Sequence, residues 1–306
     1  TTTKTPERSK KVAGVVFFED QFMKMLQNGF ADAAKNAGYE FFPGNTNNDA
    51  AKEVEMLDTY VMQDYAGVAI APLSPTSSLA TLEKAAGNGL VVGVANSSIE
   101  DADWMTGCYT SDDYQLGQMT GEACAVFAKE RLNGSIKVGI LEFRPANAEM
   151  SAARKNGFLE AVKNAGVTVE VLADEDAWEQ DKAITIANDI MTAHSDINVL
   201  WAANEGGTIG AAMAVKNAGL AGEVFVFGTD ASEQTALLLQ DSSDVLQALT
   251  GQDPYTIGIM TMESVIRTIE GLPNPDKGKK IIVPGFLLSR TDPGAIDEFL
   301  EQLKNG

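Results

Sequence analysis

The chain has 306 residues, 44% apolar and 22% charged, which is enough for two domains of ordinary size. Its formal net charge of −20 opposes binding to nucleic acid or to an anionic membrane surface. No run of about eighteen apolar residues occurs, so the sequence offers no candidate transmembrane helix.

The first eleven residues, TTTKTPERSKK, are polar and read as a disordered lead-in. No signal peptide is present, and a mature exported chain would read the same way. Apolar, β-rich runs then alternate with helical patterns. The predicted strands are Val12–Phe18, Tyr39–Phe42, Gly67–Ala71, Leu90–Ala95 and Met105–Tyr109, followed by Ile136–Glu142, Val167–Leu172, Ile197–Ala202, Val224–Gly228 and Val245–Thr250. Most are near-continuous runs of Val, Ile, Leu and Ala, the pattern of parallel strands buried on both faces. With helices between them, the expected fold class is α/β, doubly wound.

The chain also repeats itself. NGFADAAKNAGYEF (Asn28–Phe41) is echoed by NGFLEAVKNAGVTV (Asn156–Val169), each a helix stopped by a glycine and followed by a strand. Two similar lobes are the expectation. Of the two cysteines, Cys108 falls near a strand end and Cys124 in the following helix. Two buried thiols is one reading; a disulfide between the strand and a helix returning beside it is the other. Two sulfurs and one histidine, His194, make a zinc site implausible.

In open α/β sheets, ligands bind beyond the carboxyl ends of the strands. The residues there are polar, rich in amides and carboxylates, and include two aromatics. Neither GxGxxG after the first strand nor GxxxxGK[ST] anywhere is present, which argues against a nucleotide. There is no GxSxG elbow, and His194 belongs at the opposite end of its sheet. Asp20 and Asp230 could imitate a glycosidase pair, but nothing apolar around either suggests a raised pKa. An enzyme is therefore not expected. Asp20, Asn96, Arg154, Asn204, Asp230 and Gln252 instead form a fan of donors and acceptors suited to a neutral polyhydroxylated ligand, with Phe22 and Trp178 covering apolar ring faces. Glu19, Gln21, Ser97, Glu149, Met150 and Glu205 are expected to support them. Asp20 and Asn96 could equally be helix caps, Trp178 a lobe-edge filler and Arg154 a solvated helix charge.

These residues resemble the type I periplasmic binding proteins of ABC sugar transporters, the ribose- and galactose-binding group, from Lys11 to the end. Glu19-Asp20-Gln21-Phe22-Met23 is similar to the first-loop motif of the glucose/galactose binders. Asn96 lies where the family places a ligand-contacting Asp or Asn. Arg154, three before Gly157-Phe158, matches its sugar-binding Arg, and Trp178 its stacking aromatic. Trp201-Ala202-Ala203-Asn204-Glu205, Phe227-Gly228-Thr229-Asp230 and Gly251-Gln252-Asp253-Pro254 resemble strand ends that carry ligand residues. The segment Ala146-Asn147-Ala148-Glu149-Met150 lacks the His and Asp that galactose binders carry ahead of the Arg. The loop Arg131-Leu132-Asn133-Gly134-Ser135 is too short and too poor in acids for their calcium site, so no metal or cofactor is expected.

The resemblance implies two doubly wound parallel-sheet lobes joined by a three-strand hinge: residues 1–110 plus 251–283, and 111–250 plus 284–306. It implies a ligand cleft between the lobes, a pentose, hexose or polyol as ligand, a membrane permease of an ABC importer as partner, and a monomer. The location would be periplasmic, or extracytoplasmic on a lipid anchor. The alternatives are a receptor for a furanosyl-borate type autoinducer or another non-sugar small polar ligand, and an enzyme of the same architecture. A repressor of the same core would need an N-terminal helix-turn-helix, for which the tail before the first strand leaves no room.

Overall fold

The computed structural model describes residues 9–305. The expected polar lead-in falls, for residues 1–8, outside the described residues. In chain order the elements are β1 (Lys11–Val16), α1 (Gln21–Asn36), β2 (Glu40–Asn45), α2 (Ala50–Met62), β3 (Gly67–Ile70), α3 (Leu79–Gly87), β4 (Val91–Ala95) and β5 (Met105–Thr110). There follow α4 (Asp113–Arg131), β6 (Ser135–Glu142), α5 (Ala148–Asn164), β7 (Thr168–Asp176), α6 (Gln180–Ala193), β8 (Val199–Ala202), α7 (Glu205–Ala218), β9 (Phe225–Thr229), α8 (Glu233–Gln240) and β10 (Leu246–Gly251). The last are α9 (Pro254–Ile269), β11 (Lys280–Ile282), β12 (Phe286–Ser289) and α10 (Pro293–Asn305).

The chain forms two compact units, Thr1–Ser111 with Asp253–Val283, and Asp112–Gln252 with Pro284–Gly306. Two boundaries differ from the expected ones. Ser111 belongs to the first unit, and Gly251 and Gln252 belong to the second. The reason is that β10 runs through Gly251, which pairs with Phe286 of β12, so the chain leaves that sheet only afterwards.

In the first unit the strand order is β11-β5-β4-β3-β1-β2, all parallel. Val12 and Val16 face α1 and α9, while Ala13 and Val15 face α2 and α3. Both faces are thus buried, which is why β1 is apolar at every position but its first. In the second unit the order is β12-β10-β9-β8-β6-β7, the same arrangement except that β12 is antiparallel to β10. Its faces are covered by α4 and α5 on one side and by α6, α7, α8 and α10 on the other.

The repeat has a physical meaning. A Cβ added at Gly29 would lie 2.3 Å from the Tyr255 carbonyl of α9, and one at Gly157 2.0 Å from the Tyr114 carbonyl of α4. The NGF motif therefore lets two helix backbones touch in each unit. The glycines that stop α1 and α5 are left-handed, Gly38 at φ +74° and Gly166 at φ +80°.

The helix after the fifth strand changes unit. α4 follows β5 but packs on α5, and α9 follows β10 but packs on α1. This overturns the disulfide reading, because the helix carrying Cys124 does not return beside the strand carrying Cys108. Both thiols are free and buried in separate cores. The Cys108 thiol donates to the Ser97 carbonyl at 3.2 Å, and burial pushes its pKa up to about 12. Burial raises Cys124 as well.

Several strand bounds also differ: β2 runs on to Asn45 rather than stopping at Phe42, and β8 starts at Val199 rather than Ile197. β1 stops at Val16 rather than Phe18, because the turn after β2 closes over it, with Thr46 N–H donating to the Val16 carbonyl and Asn48 N–H to that of Phe17. β7 runs on to Asp176 rather than stopping at Leu172, through a register shift against β6.

Candidate ligand site

In the first unit, α1 begins where β1 ends, and Asp20 is its N-cap: Oδ1 accepts the Met23 N–H at 2.8 Å. The capping reading of Asp20 is thus realised at one oxygen. Glu19 and Gln21 beside it are exposed. The three line an open recess of about 560 Å³ together with Lys24, Gln27 and Asn45. Phe22 is half-buried against the α1 and α9 core.

Asn96 is not a cap. It follows β4 at φ +48°, a conformation Asn tolerates better than most residues. Its N–H donates to the Tyr109 carbonyl at 2.8 Å. The residue is 5% exposed, yet its Oδ1 has no partner among the described residues. The same holds for Ser97 Oγ and, at the end of the neighbouring β5, for Ser111 Oγ. A buried polar atom left unpaired costs about 1–3 kcal/mol. Three at adjacent strand ends mark a place where a polar molecule would be bound favourably.

In the second unit three of the sequence-predicted residues, Arg154, Asp230 and Gln252, join into one network. Arg154 on α5 is 3% exposed. Its Nε donates to Asp113 Oδ1 at 2.8 Å and its Nη1 to the Ala203 carbonyl at 2.8 Å. Nη1 also lies 3.4 Å from Asp230 Oδ2, and the guanidinium sits 5.2 Å from the centre of the Phe143 ring. Burial alone would lower the Arg154 pKa, but the carboxylates of Asp230 and Asp113 outweigh it and the net direction is upward. Asp113 is raised, by burial first, with the charge of Arg154 opposing.

Asp230 follows β9 at φ +71°, the counterpart of Asn96 after β4. Its Oδ1 accepts from Gln252 Nε2 at 2.7 Å. Gln252 Oε1 and Thr250 Oγ1, both at the end of β10, are buried and unpaired among the described residues. The solvated-charge reading of Arg154 therefore fails, since a buried cation between two carboxylates is a built feature.

Asn204 has a local structural role. It is the N-cap of α7, accepting from Gly207 N–H at 3.2 Å, and its Nδ2 donates to the Trp178 carbonyl at 3.0 Å. It anchors the turn that presents Trp178, whose half-buried ring leans on the core under α4 and α5. Glu205 opens α7 and is half-buried; Glu149, in the first turn of α5, is exposed, and Met150 is buried beside it.

Two features lay outside the sequence reading. One is Asp113, which stands 41 positions from its partner. The doubled acid Asp112-Asp113 held a signal: Asp112 caps α4 through Gln115 N–H, which leaves the second acid for another role. The other is a charged cluster under α5. Glu142, fully buried, accepts from Lys155 Nζ at 2.5 Å and Ser151 Oγ at 2.8 Å. Lys155 also reaches Asp174 at 2.9 Å, and Arg144 reaches Asp176 at 2.7 Å. Burial pushes Asp174 up, but hydrogen bonding with Glu142 and Lys155 outweighs it and holds the carboxyl low. This cluster fixes α5 against β6 and β7 and so fixes Arg154. Among the described residues, no group of three His, Cys, Asp or Glu side chains could hold a metal ion.

Residues 15–273 match the family model described as periplasmic binding protein domain. The chain belongs to this family. Its relatives include the ABC transporter periplasmic-binding protein YphF of Escherichia coli K12, 24% identical over 92% of this chain and 86% of its own. The D-allose-binding periplasmic protein of the same organism is 25% identical over 79% of this chain and 78% of its own. Among solved structures, an ABC transporter solute binding protein of Bacillus halodurans C-125 with bound myo-inositol superposes with a TM-score of 0.84 at 19% identity, covering 97% of this chain and 99% of that one. The two sheets of this periplasmic binding protein thus follow the type I architecture expected from its sequence.

Proposed function

We propose that this periplasmic binding protein is an extracytoplasmic receptor that captures a neutral monosaccharide or polyol and delivers it to the membrane permease of an ABC importer, without chemical turnover. The observation that carries this reading is the Arg154–Asp230–Gln252 network with its unpaired Gln252 Oε1. A sugar hydroxyl donates and accepts at once, so it can meet a guanidinium N–H, a carboxylate oxygen and an amide oxygen that have capacity left. In the first unit, taken by itself, Asn96 also carries an unpaired acceptor, Oδ1, at a strand end. We infer that the ligand-bound conformation is what the permease recognises. The relatives' names support the class: one is an ABC transporter binding protein, another binds D-allose, and a structural neighbour holds myo-inositol.

Calorimetry against pentoses, hexoses and polyols should find a ligand. Each hydrogen bond to a charged group contributes about 1.5–3 kcal/mol, so Arg154→Ala should weaken binding by roughly tenfold to more than 100-fold. If Arg154→Ala and Asp230→Ala both bind as well as the parent, the site is assigned wrongly.

A further inference from the structure

Asp113 stands in the one part of this network that the ligand reading leaves without a task. An arginine normally takes a carboxylate or phosphate two-pronged, through a pair of parallel N–H bonds along one edge. The guanidinium has two such edges, Nε with Nη2 and Nη1 with Nη2. Here both are already half used. Asp113 Oδ1 holds Nε at 2.8 Å, while the Ala203 carbonyl and Asp230 hold Nη1. Only Nη2 is without a partner among the described residues, and it offers single bonds. Whatever approaches it comes beside the carboxylate of Asp113 on one side or of Asp230 on the other. The local charge is one cation against two anions, in side chains that are 4%, 15% and 16% exposed, where solvent screens little.

We propose that Asp113 is a specificity-determining residue that closes the Arg154 fork to acidic ligands and reserves it for neutral hydroxyls. The proposal rests on the reading that Arg154 and Asp230 hold the ligand. A hydroxyl accepts from Nη2 and donates its own proton to a remaining carboxylate lone pair. A ligand carboxylate or phosphate has no proton to give, finds no free two-pronged edge, and meets like charge. Without Asp113 the same arginine would suit a sugar acid.

The test pairs neutral compounds with acidic counterparts: D-galactose with D-galacturonate, D-glucose with D-glucuronate, D-ribose with D-ribonate, and myo-inositol with its monophosphates. Calorimetry on the parent should show a neutral binder whose acid is weaker by about 100-fold or more. In Asp113→Asn an acceptor for Nε is kept and the charge is removed. The gap between acid and neutral partner should then narrow by about tenfold, while the neutral affinity changes less than the gap does. A purely structural role would weaken both alike and leave the gap unchanged, which would overturn the proposal. A parent that binds the acid as tightly as the neutral compound would also overturn it, and that comparison does not depend on whether the variant folds. A parent that binds nothing in either series would overturn the sugar reading and the proposal with it.

Discussion

On the proposed reading, Asn96 trades stability for binding. Its backbone is left-handed and its Oδ1 is buried without a partner. Glycine adopts φ +48° at no steric cost and carries no acceptor to strand. Asn96→Gly should therefore leave the melting temperature of the unliganded protein level or higher, since removing a strain of about 1–3 kcal/mol offsets the entropy glycine costs. Ligand affinity should fall tenfold or more in the same variant. Melting and calorimetry on one preparation check both, and a loss of stability with intact affinity would contradict the account. The polar fan at the strand ends was legible in the sequence because strand ends announce themselves. What each member does was less so. Asn204, expected as a ligand residue, also caps α7 and holds the Trp178 carbonyl, a double duty that a lone Asn at a strand end does not announce. Asp113 was passed over as the partner of Arg154 because spacing cannot pair residues 41 positions apart; the doubled acid hinted at a second role but not at which.

Elements were more legible than their partners. Strands buried on both faces spell out continuous apolar runs, and helix stops carry glycine, so alternating order could be read directly. Which sheet a helix covers is a different matter, because an amphipathic stripe fits either unit. That is why α4 was expected beside β5 and the cysteines were weighed as a pair. The repeated NGF motif makes the helix pairings testable. Alanine at Gly29 or Gly157 would place a Cβ 2.3 or 2.0 Å from a backbone carbonyl of the facing helix, and backbone cannot rotate away. Each substitution should destabilise by about 1–3 kcal/mol or more, read from denaturant midpoints. Alanine at Gly38, where nothing lies within 4 Å, should cost only the left-handed conformation, about 1–2 kcal/mol. Equal losses at all three positions would argue against backbone contact as the cause.

The whole molecule carries 43 acidic residues, and their environments set its response to acid. Asp196 is held low by its hydrogen bond with Lys137, Asp241 by its hydrogen bond with Lys216, and Asp174 by Glu142 and Lys155 against the opposing effect of burial. A carboxyl whose folded pKa lies below its unfolded value stabilises the fold above the unfolded value, about 3.9 for Asp, and loses that contribution as pH falls through the folded one. Asp113 is raised and acts in the opposite sense, since its protonation favours the folded state. Three lowered groups against one raised predict a melting temperature nearly flat from pH 7 to 5 that declines below about pH 4. A protein more stable at pH 3 than at pH 6 would refute this. The exchange of α4 and α9 has a consequence in time. The first unit is begun first but cannot be finished until α9 exists, and residues 112–252 must be made in between. At roughly 5–20 residues per second of synthesis, the delay is on the order of ten seconds. Throughout it, the face of α1 that carries Met23, Leu26, Gly29 and Phe30 has no helix to cover it. The amino-terminal half of the nascent chain is thus kept open by its own topology until α9 is made.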